Sequence, residues 1–284
     1  MERTIPEKEL SRFVITLPNT EAGLEEKYLG IKFVKIPLKI PAYGKNRIVF
    51  WIYHRNLLPK IAGLYDSGDG KRLTGVFICD YFGFFYRKIP VNSALSRVTP
   101  LHESFHGFLH LNNSPLNLIH PVPELPNLGQ AIKFMESEVI LKVVNEGFCE
   151  WAAYETLLRI RGISDRMDLC RLHRLFICKR EPVDGADKID YDSFIFEGMQ
   201  NIGILADYRT GRDLLMKDSQ KFSEKLAASS YDTGHHFVNE VIKDLGGMDA
   251  ALPEAIHLLI KNPPKTIEHL KNPHDFSRLL IAKG

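Results

Sequence analysis

Apolar residues follow two different patterns along the chain. Residues 31–86 are rich in β-branched and aromatic side chains and are interrupted by prolines and glycines, a composition typical of strands and turns. Later in the chain, apolar residues return every three or four positions, the spacing of amphipathic helices. These helical stretches are residues 134–161, 213–228, 232–245 and 248–260. We therefore predict an α+β fold in two parts, with the sheet in residues 1–162 and a helical lobe in residues 163–284.

The composition fits a globular protein with a large core. Of 284 residues, 44% are hydrophobic, and a chain of this length can bury a substantial core. The formal net charge is only +2, which gives no reason to expect nucleic acid or an anionic membrane as partner. No apolar run approaches the about 18 residues of a membrane-spanning helix, and residues 1–6 do not begin a signal peptide. We expect a cytoplasmic protein whose four cysteines are buried free thiols.

The segment His102-Glu103-Ser104-Phe105-His106 has the spacing His-Glu-x-x-His. Residues four apart on a helix lie one turn apart on the same face, so the two imidazoles can converge on one zinc ion while Glu103 projects toward its bound water. Thr99 and Pro100 are a typical N-cap and first helical residue, so we predict that the helix begins there. Alternatively, both histidines are ordinary polar residues of a half-exposed helix. A third ligand decides between the two interpretations.

Three downstream residues are candidates for the third ligand: His110, Glu146 and Glu150. On one helix, eight residues separate His110 from His102 by about 12 Å along the axis, which is too far for one coordination sphere. Both glutamates lie in the helical stretch 134–161. A carboxylate from this second helix would complete a two-His, one-Glu site and leave the fourth zinc position open for water. We predict Glu146 as the third ligand.

Together, His-Glu-x-x-His and the segment Asn145-Glu146-Gly147-Phe148-Cys149-Glu150-Trp151 resemble the gluzincin metallopeptidases. This group includes thermolysin and the leukotriene-hydrolase-like aminopeptidases. The resemblance implies a zincin-like fold, with an N-terminal mixed β-sheet beside the metal helix, and zinc-dependent hydrolysis of a peptide or protein substrate. It also implies that Glu146 binds zinc, that Glu103 is the general base, and that Glu150 accepts a hydrogen bond from a zinc histidine.

A third matching segment begins at Ser230 and contains Tyr231-Asp232-Thr233-Gly234. It is similar to the aminopeptidase segment whose tyrosine stabilises the oxyanion of the tetrahedral intermediate, which implies that role for Tyr231. His235 or His236 could serve instead, as a histidine does in thermolysin-like enzymes. In a purely structural alternative, Tyr231 only caps a helix with an apolar core face.

Two departures from the family pattern limit what the resemblance implies. A proline-rich insert, residues 112–126, separates the two metal helices and could be a lid or a surface connector. The Gly-x-Met-Glu-Asn segment with which those aminopeptidases hold a free N-terminus is missing, so the choice between endo- and exopeptidase stays open. Two rival hypotheses are an inactive zincin-like protein that binds zinc or a peptide without turnover, and a helical scaffold without metal.

Overall fold

The computed structural model describes Leu29 and residues 38–39, 63–66, 75–78, 94–111, 114–116, 127–161, 191–246 and 251–282. The chain divides into two compact units. The first unit contains residues 1–112 and 152–176, and the second contains residues 113–151 and 177–284. The domain boundary that we predict at residue 162 lies outside the described residues and stays a prediction.

Three short strands and one helix are described before residue 112. Strands β1 (Leu38–Lys39), β2 (Gly63–Asp66) and β3 (Gly75–Ile78) form a sheet in the order β1-β3-β2. β1 pairs with β3 in parallel, with Leu38 opposite Val76, and β2 pairs with β3 antiparallel. Helix α1 (Ala94–Leu111) contacts β2 and β3. The sheet therefore supports the helix that carries the His-Glu-x-x-His segment.

The α+β class predicted from the sequence, with its N-terminal mixed sheet, is wrong. The 129 residues whose burial the structure describes are 88% helical, and none of them belongs to a strand. The described strands comprise only two, four and four residues. β-Branched and aromatic composition measures how well side chains suit a pleated, half-buried surface, and it does not determine how many residues pair. The described part of the molecule is therefore mainly helical, with three short strands.

Helix α2 (Leu128–Arg161) is the longest described element, with 34 residues. Its surroundings explain its sequence, because every residue from 143 to 156 is buried. A helix that is buried on all sides needs apolar residues on all sides, and Val143, Phe148, Trp151 and Tyr154 meet this need. The buried carboxylates on the same stretch of α2 therefore stand out as candidates for function.

The rest of the second unit consists of short helices. They are α3 (Tyr191–Ala206), α4 (Tyr208–Lys217), α5 (Ser219–Ser229), α6 (His235–Asp244), α7 (Leu252–Lys261), α8 (Ile267–Lys271) and α9 (Pro273–Ile281), with a π-helix, Ser230–Gly234, joining α5 to α6. Apolar side chains of α6 and α7, among them Phe237, Val241, Ile256 and Leu259, form the core of this unit. All the regular secondary structure described in the predicted helical lobe is thus helical.

One predicted helix, residues 213–228, is divided in two at Asp218. The Asp218 side chain accepts a hydrogen bond from the Lys221 backbone N–H at 2.9 Å and so acts as the N-cap of α5. Its own backbone N–H donates to Leu214 O at the end of α4. Because Asp218 bonds to terminal backbone groups of both helices, the break leaves fewer of these groups without a hydrogen-bond partner and destabilises the fold little.

Two further expectations concern the membrane and the cysteines. No helix among the described residues is long and apolar enough to cross a membrane. Cys149 is buried, as predicted. Cys79, Cys170 and Cys178 lie outside the described residues.

Candidate metal centre

Helix α1 holds its histidines in place through a buried apolar face. Leu101, Phe105 and Leu109 are at most 2% exposed, and their spacing of four residues keeps one face of the helix turned to the interior. His102 directly follows Leu101, beside this face, and is buried as well, at 6% exposure. The predicted helix start at Thr99 and Pro100 is wrong, since α1 begins at Ala94. The segment His102–His106 is nevertheless helical throughout, as its chemistry requires.

The two imidazoles converge. The Nε2 atoms of His102 and His106 are 3.1 Å apart, and the ring centroids are 4.8 Å apart with an interplanar angle of 76°. Two nitrogens bound to a tetrahedral zinc ion at about 2.0–2.1 Å would lie about 3.3 Å from each other. The observed separation is therefore close to the one that a shared metal ion needs.

Glu146 of α2 joins the two histidines. A nitrogen of His102, a nitrogen of His106 and a carboxylate oxygen of Glu146 all lie within 4.8 Å of one another. His102 and Glu146 are buried, and His106 is partly buried. Two imidazoles and one carboxylate form a donor set that suits zinc and several other divalent ions, so the group is compatible with a metal ion without identifying it.

Lys142 interacts with the same carboxylate. Its ammonium group donates a hydrogen bond to Glu146 Oε1 from one helical turn earlier on α2. The Lys142 side chain is 39% exposed, whereas that of Glu146 is 11% exposed. Lys142 is not among the residues predicted from the sequence, although its position four residues before Glu146 on one helix was a usable signal.

Glu103 and Glu150 are two further buried carboxyl side chains on helices α1 and α2. Glu103 follows His102 on α1 and is 9% exposed, and Glu150 lies one turn after Glu146 on α2 and is 2% exposed. Ionised carboxylates in the interior need compensating positive charge or hydrogen bonds. The predicted hydrogen bond from a histidine ring to Glu150 stays a prediction. His110, on the last turn of α1, does not belong to the group of His102, His106 and Glu146, which is called the metal-ligating group below because it could hold a metal ion.

Tyr231 lies in the π-helix that joins α5 to α6, and it is partly exposed. The backbone of this π-helix approaches α2 at Gly147, the residue after Glu146. His235 is the first residue of α6 and is buried, at 5% exposure, while His236 is partly buried. The catalytic role assigned to Tyr231 stays a prediction, as do the alternatives at the two histidines.

The start of the proline-rich insert is attached to α2 beside Glu146. Asn145 Nδ2 donates to Leu116 O at 2.7 Å, and the Ser114 hydroxyl donates to Ile260 O of α7 at 2.6 Å. The Leu116 N–H donates in turn to Ser114 Oγ at 3.2 Å. These bonds hold residues 114–116 against the helix that carries Glu146. Residues 117–126, where a lid would lie, are outside the described part of the chain.

A separate cleft of about 780 Å³ lies in the second unit. Residues of α2 and α4 line it, among them Leu128, Ile132, Tyr208 and Arg212. None of the predicted site residues borders this cleft.

Comparisons with protein-family models, with curated proteins and with solved structures give no match. The resemblance to gluzincins therefore stays a prediction from three short segments.

Proposed function

We propose that this protein is a zinc-dependent peptide hydrolase with His102, His106 and Glu146 as its metal ligands. The observation that supports the proposal most strongly is the convergence of these three side chains, which come from two helices and are separated by up to 44 positions in the sequence. A helical scaffold without metal predicts no such convergence. The geometry therefore favours a metal protein over that rival.

The number of ligands favours a catalytic site. Structural zinc sites are usually closed by four protein ligands, whereas catalytic sites use three and leave one position for water or substrate. Among the described residues, the group has three members. Bound zinc would polarise the scissile carbonyl and acidify a water molecule.

Glu103 is the proposed general base. Its carboxylate accepts the proton of the attacking water and then passes that proton to the leaving amine. The side chain follows His102 directly on α1 and is 9% exposed. A site that only binds zinc or a peptide has no need of a base at this position, so Glu103 argues against the inactive alternative.

Tyr231 and Glu150 complete the proposal. The Tyr231 hydroxyl donates a hydrogen bond to the oxyanion as negative charge develops. Glu150 accepts the distal N–H of a ligand histidine and holds that ring in one tautomer and orientation. A peptide or protein substrate and a cytoplasmic location remain expectations from the sequence.

Metal content tests the ligands. Protein purified without added metal is analysed by elemental mass spectrometry, and we expect about one zinc per chain. His106→Ala should lose most of the metal, because two ligands seldom hold zinc tightly. His110→Ala is the matched control, since His110 lies one turn further on the same helix and outside the group. Equal metal content in the wild type and both variants would contradict the ligand assignment.

Turnover tests Glu103. With a mixture of fluorescence-quenched peptides, Glu103→Gln should keep its zinc and lose about 10²–10⁴-fold in rate, because an amide cannot accept the proton. Glu155→Gln changes another buried carboxylate, on α2 and outside the metal-ligating group, and should retain activity. A wild-type protein that binds zinc and cleaves none of the peptides would support the inactive alternative.

A further inference from the structure

The π-helix Ser230–Gly234 is a local departure from α-helical geometry between α5 and α6. Two hydroxyl groups bond back to the last turn of α5 where it begins: Ser229 Oγ donates to Lys225 O at 2.8 Å, and Ser230 Oγ donates to Leu226 O at 2.6 Å. Such bonds compete for helix carbonyls and bend helices. Single π-helical turns within α-helices are frequent at functional sites.

One side of the π-helix is in backbone contact with α2. A Cβ atom on Gly147 would lie 2.2 Å from the carbonyl carbon of Gly234, and a Cβ on Gly234 would lie 2.2 Å from Val143 O. Both neighbours are backbone atoms, which cannot rotate away as a side chain can. Only glycine at both positions permits this approach.

The other side of the π-helix contacts α3. A Cβ atom on Gly198 would lie 2.1 Å from the Thr233 hydroxyl oxygen, and that hydroxyl donates to Ile195 O at 3.3 Å. The π-helix is therefore held between α2 and α3, with glycines at both contacts. Close packing of this kind transmits a shift of one element directly to the next.

We propose that Gly147 and Gly234 are positioning residues that set the distance of Tyr231 from the metal ligand Glu146. Gly147 follows Glu146, and Gly234 lies three residues after Tyr231, so the chain keeps the Cα atoms of Tyr231 and Gly234 within about 11 Å. An α-helical path with one residue fewer would turn Tyr231 by about 100° relative to α6. The inference depends on the proposed function, because Tyr231 needs this distance only if it serves a metal site.

A spectroscopic distance measurement tests the inference. Tyr231 is replaced by 3-fluorotyrosine, and the ¹⁹F resonance is compared in protein loaded with Co²⁺ and with Zn²⁺. Paramagnetic relaxation by Co²⁺ falls with the sixth power of distance, so the wild type should show strong broadening. Gly147→Ala should still bind Co²⁺ but lose several-fold of that broadening. Its kcat should fall by about 10²-fold with KM almost unchanged, since small misplacements of a catalytic group cost about that much.

Gly203→Ala is the matched control. Gly203 also lies in a helix, but its added Cβ would meet Ile267 Cδ1 at 3.6 Å, an ordinary contact. If Gly147→Ala does not fold, Gly198→Ala applies a milder push, because it meets only a hydroxyl group that can rotate. We expect the same loss of broadening there, to a smaller extent.

Three results would overturn the inference. A wild-type resonance that Co²⁺ leaves sharp would show that Tyr231 lies far from the metal, while the metal site itself would stand. Unchanged broadening in both Gly147→Ala and Gly198→Ala would show that the glycines do not set the distance. Failure of the wild type to bind Co²⁺ or Zn²⁺ would remove the proposed function together with this inference.

Discussion

Replacing Lys142 with methionine should strengthen zinc binding. The Lys142 ammonium is hydrogen-bonded to Glu146 Oε1, so it occupies the carboxylate that the metal requires. The ligand atoms are up to 4.8 Å apart, about 1.5 Å more than two ligands of one tetrahedral zinc ion. If zinc binds as proposed, the Glu146 carboxylate would move toward the histidines, and a dication would come close to the ammonium group.

The size of the effect follows from the exposure of the pair. Two unit charges about 4 Å apart interact by about 4 kcal/mol at an effective dielectric constant of about 20. Because the Lys142 side chain is 39% exposed, solvent screens much of this, and exposed ion pairs contribute only about 0.2–1 kcal/mol. An intermediate cost of about 1.4 kcal/mol corresponds to an about tenfold lower zinc Kd in the variant. Methionine keeps the length and helix propensity of lysine, so α2 should not change.

The zinc Kd is measured by competition with a fluorescent chelator. Lys217→Met is the control, because Lys217 forms an ion pair of the same i,i+4 spacing with Asp213, at 3.5 Å on α4, outside the metal-ligating group. The control should bind zinc like the wild type. A weaker zinc affinity in Lys142→Met would refute the reasoning and would mean that the ammonium orients the carboxylate for the metal instead of competing with it.

Three further predictions each concern one side chain. Tyr231→Phe should lower kcat far more than it raises KM, because the hydroxyl acts mainly in the transition state; a change in KM alone would contradict this role. Asn145→Ala should lower the free energy of unfolding in urea by about 1–3 kcal/mol, because it leaves the buried Leu116 carbonyl without its donor; a loss within error would show that this bond contributes little. The backbone N–H of Thr210, bonded to the Asp207 carboxylate, lowers the pKa of Asp207 from its ordinary 3.8, so the carboxylate stabilises the fold above that pH and loses this effect as the pH falls through the lowered pKa. Asp207→Ala should therefore lower the urea midpoint at about pH 6 and much less at about pH 2, and an equal loss at both would exclude the charge as the cause.

The sequence predicts the convergence of His102, His106 and Glu146 better than it predicts the fold class. His102 and His106 are four residues apart, which is about one helical turn. A helix that contains both residues therefore brings their side chains together, whatever residue the helix starts from. Glu146 required a second helix, and the dense apolar sequence of α2 made that helix recognisable. Local helical periodicity is therefore enough to predict the two helices on which these three residues lie.

The features that sequence analysis missed depend on contacts between distant segments. The closeness of Gly147 to Gly234 results from the packing of two helices. The sequence around each glycine does not distinguish it from a glycine in a turn. The π-helix Ser230–Gly234 adds one residue to a helical turn, which apolar periodicity does not resolve. The break at Asp218 follows from a capping hydrogen bond within a stretch whose apolar spacing continues across it.

The burial of Glu146 would link the proposed metal site to the stability of the fold. Residues 143–156 of α2 are all buried, so an ionised carboxylate at position 146 is costly unless a cation compensates it. Before metal binds, Lys142 supplies that cation from a partly exposed position one turn away. A divalent ion would supply a larger charge and bring in His102 and His106 as well. If zinc binds as proposed, it would displace the Lys142 ammonium group from the Glu146 carboxylate, and this competition is the source of the weaker affinity that Lys142→Met should reverse.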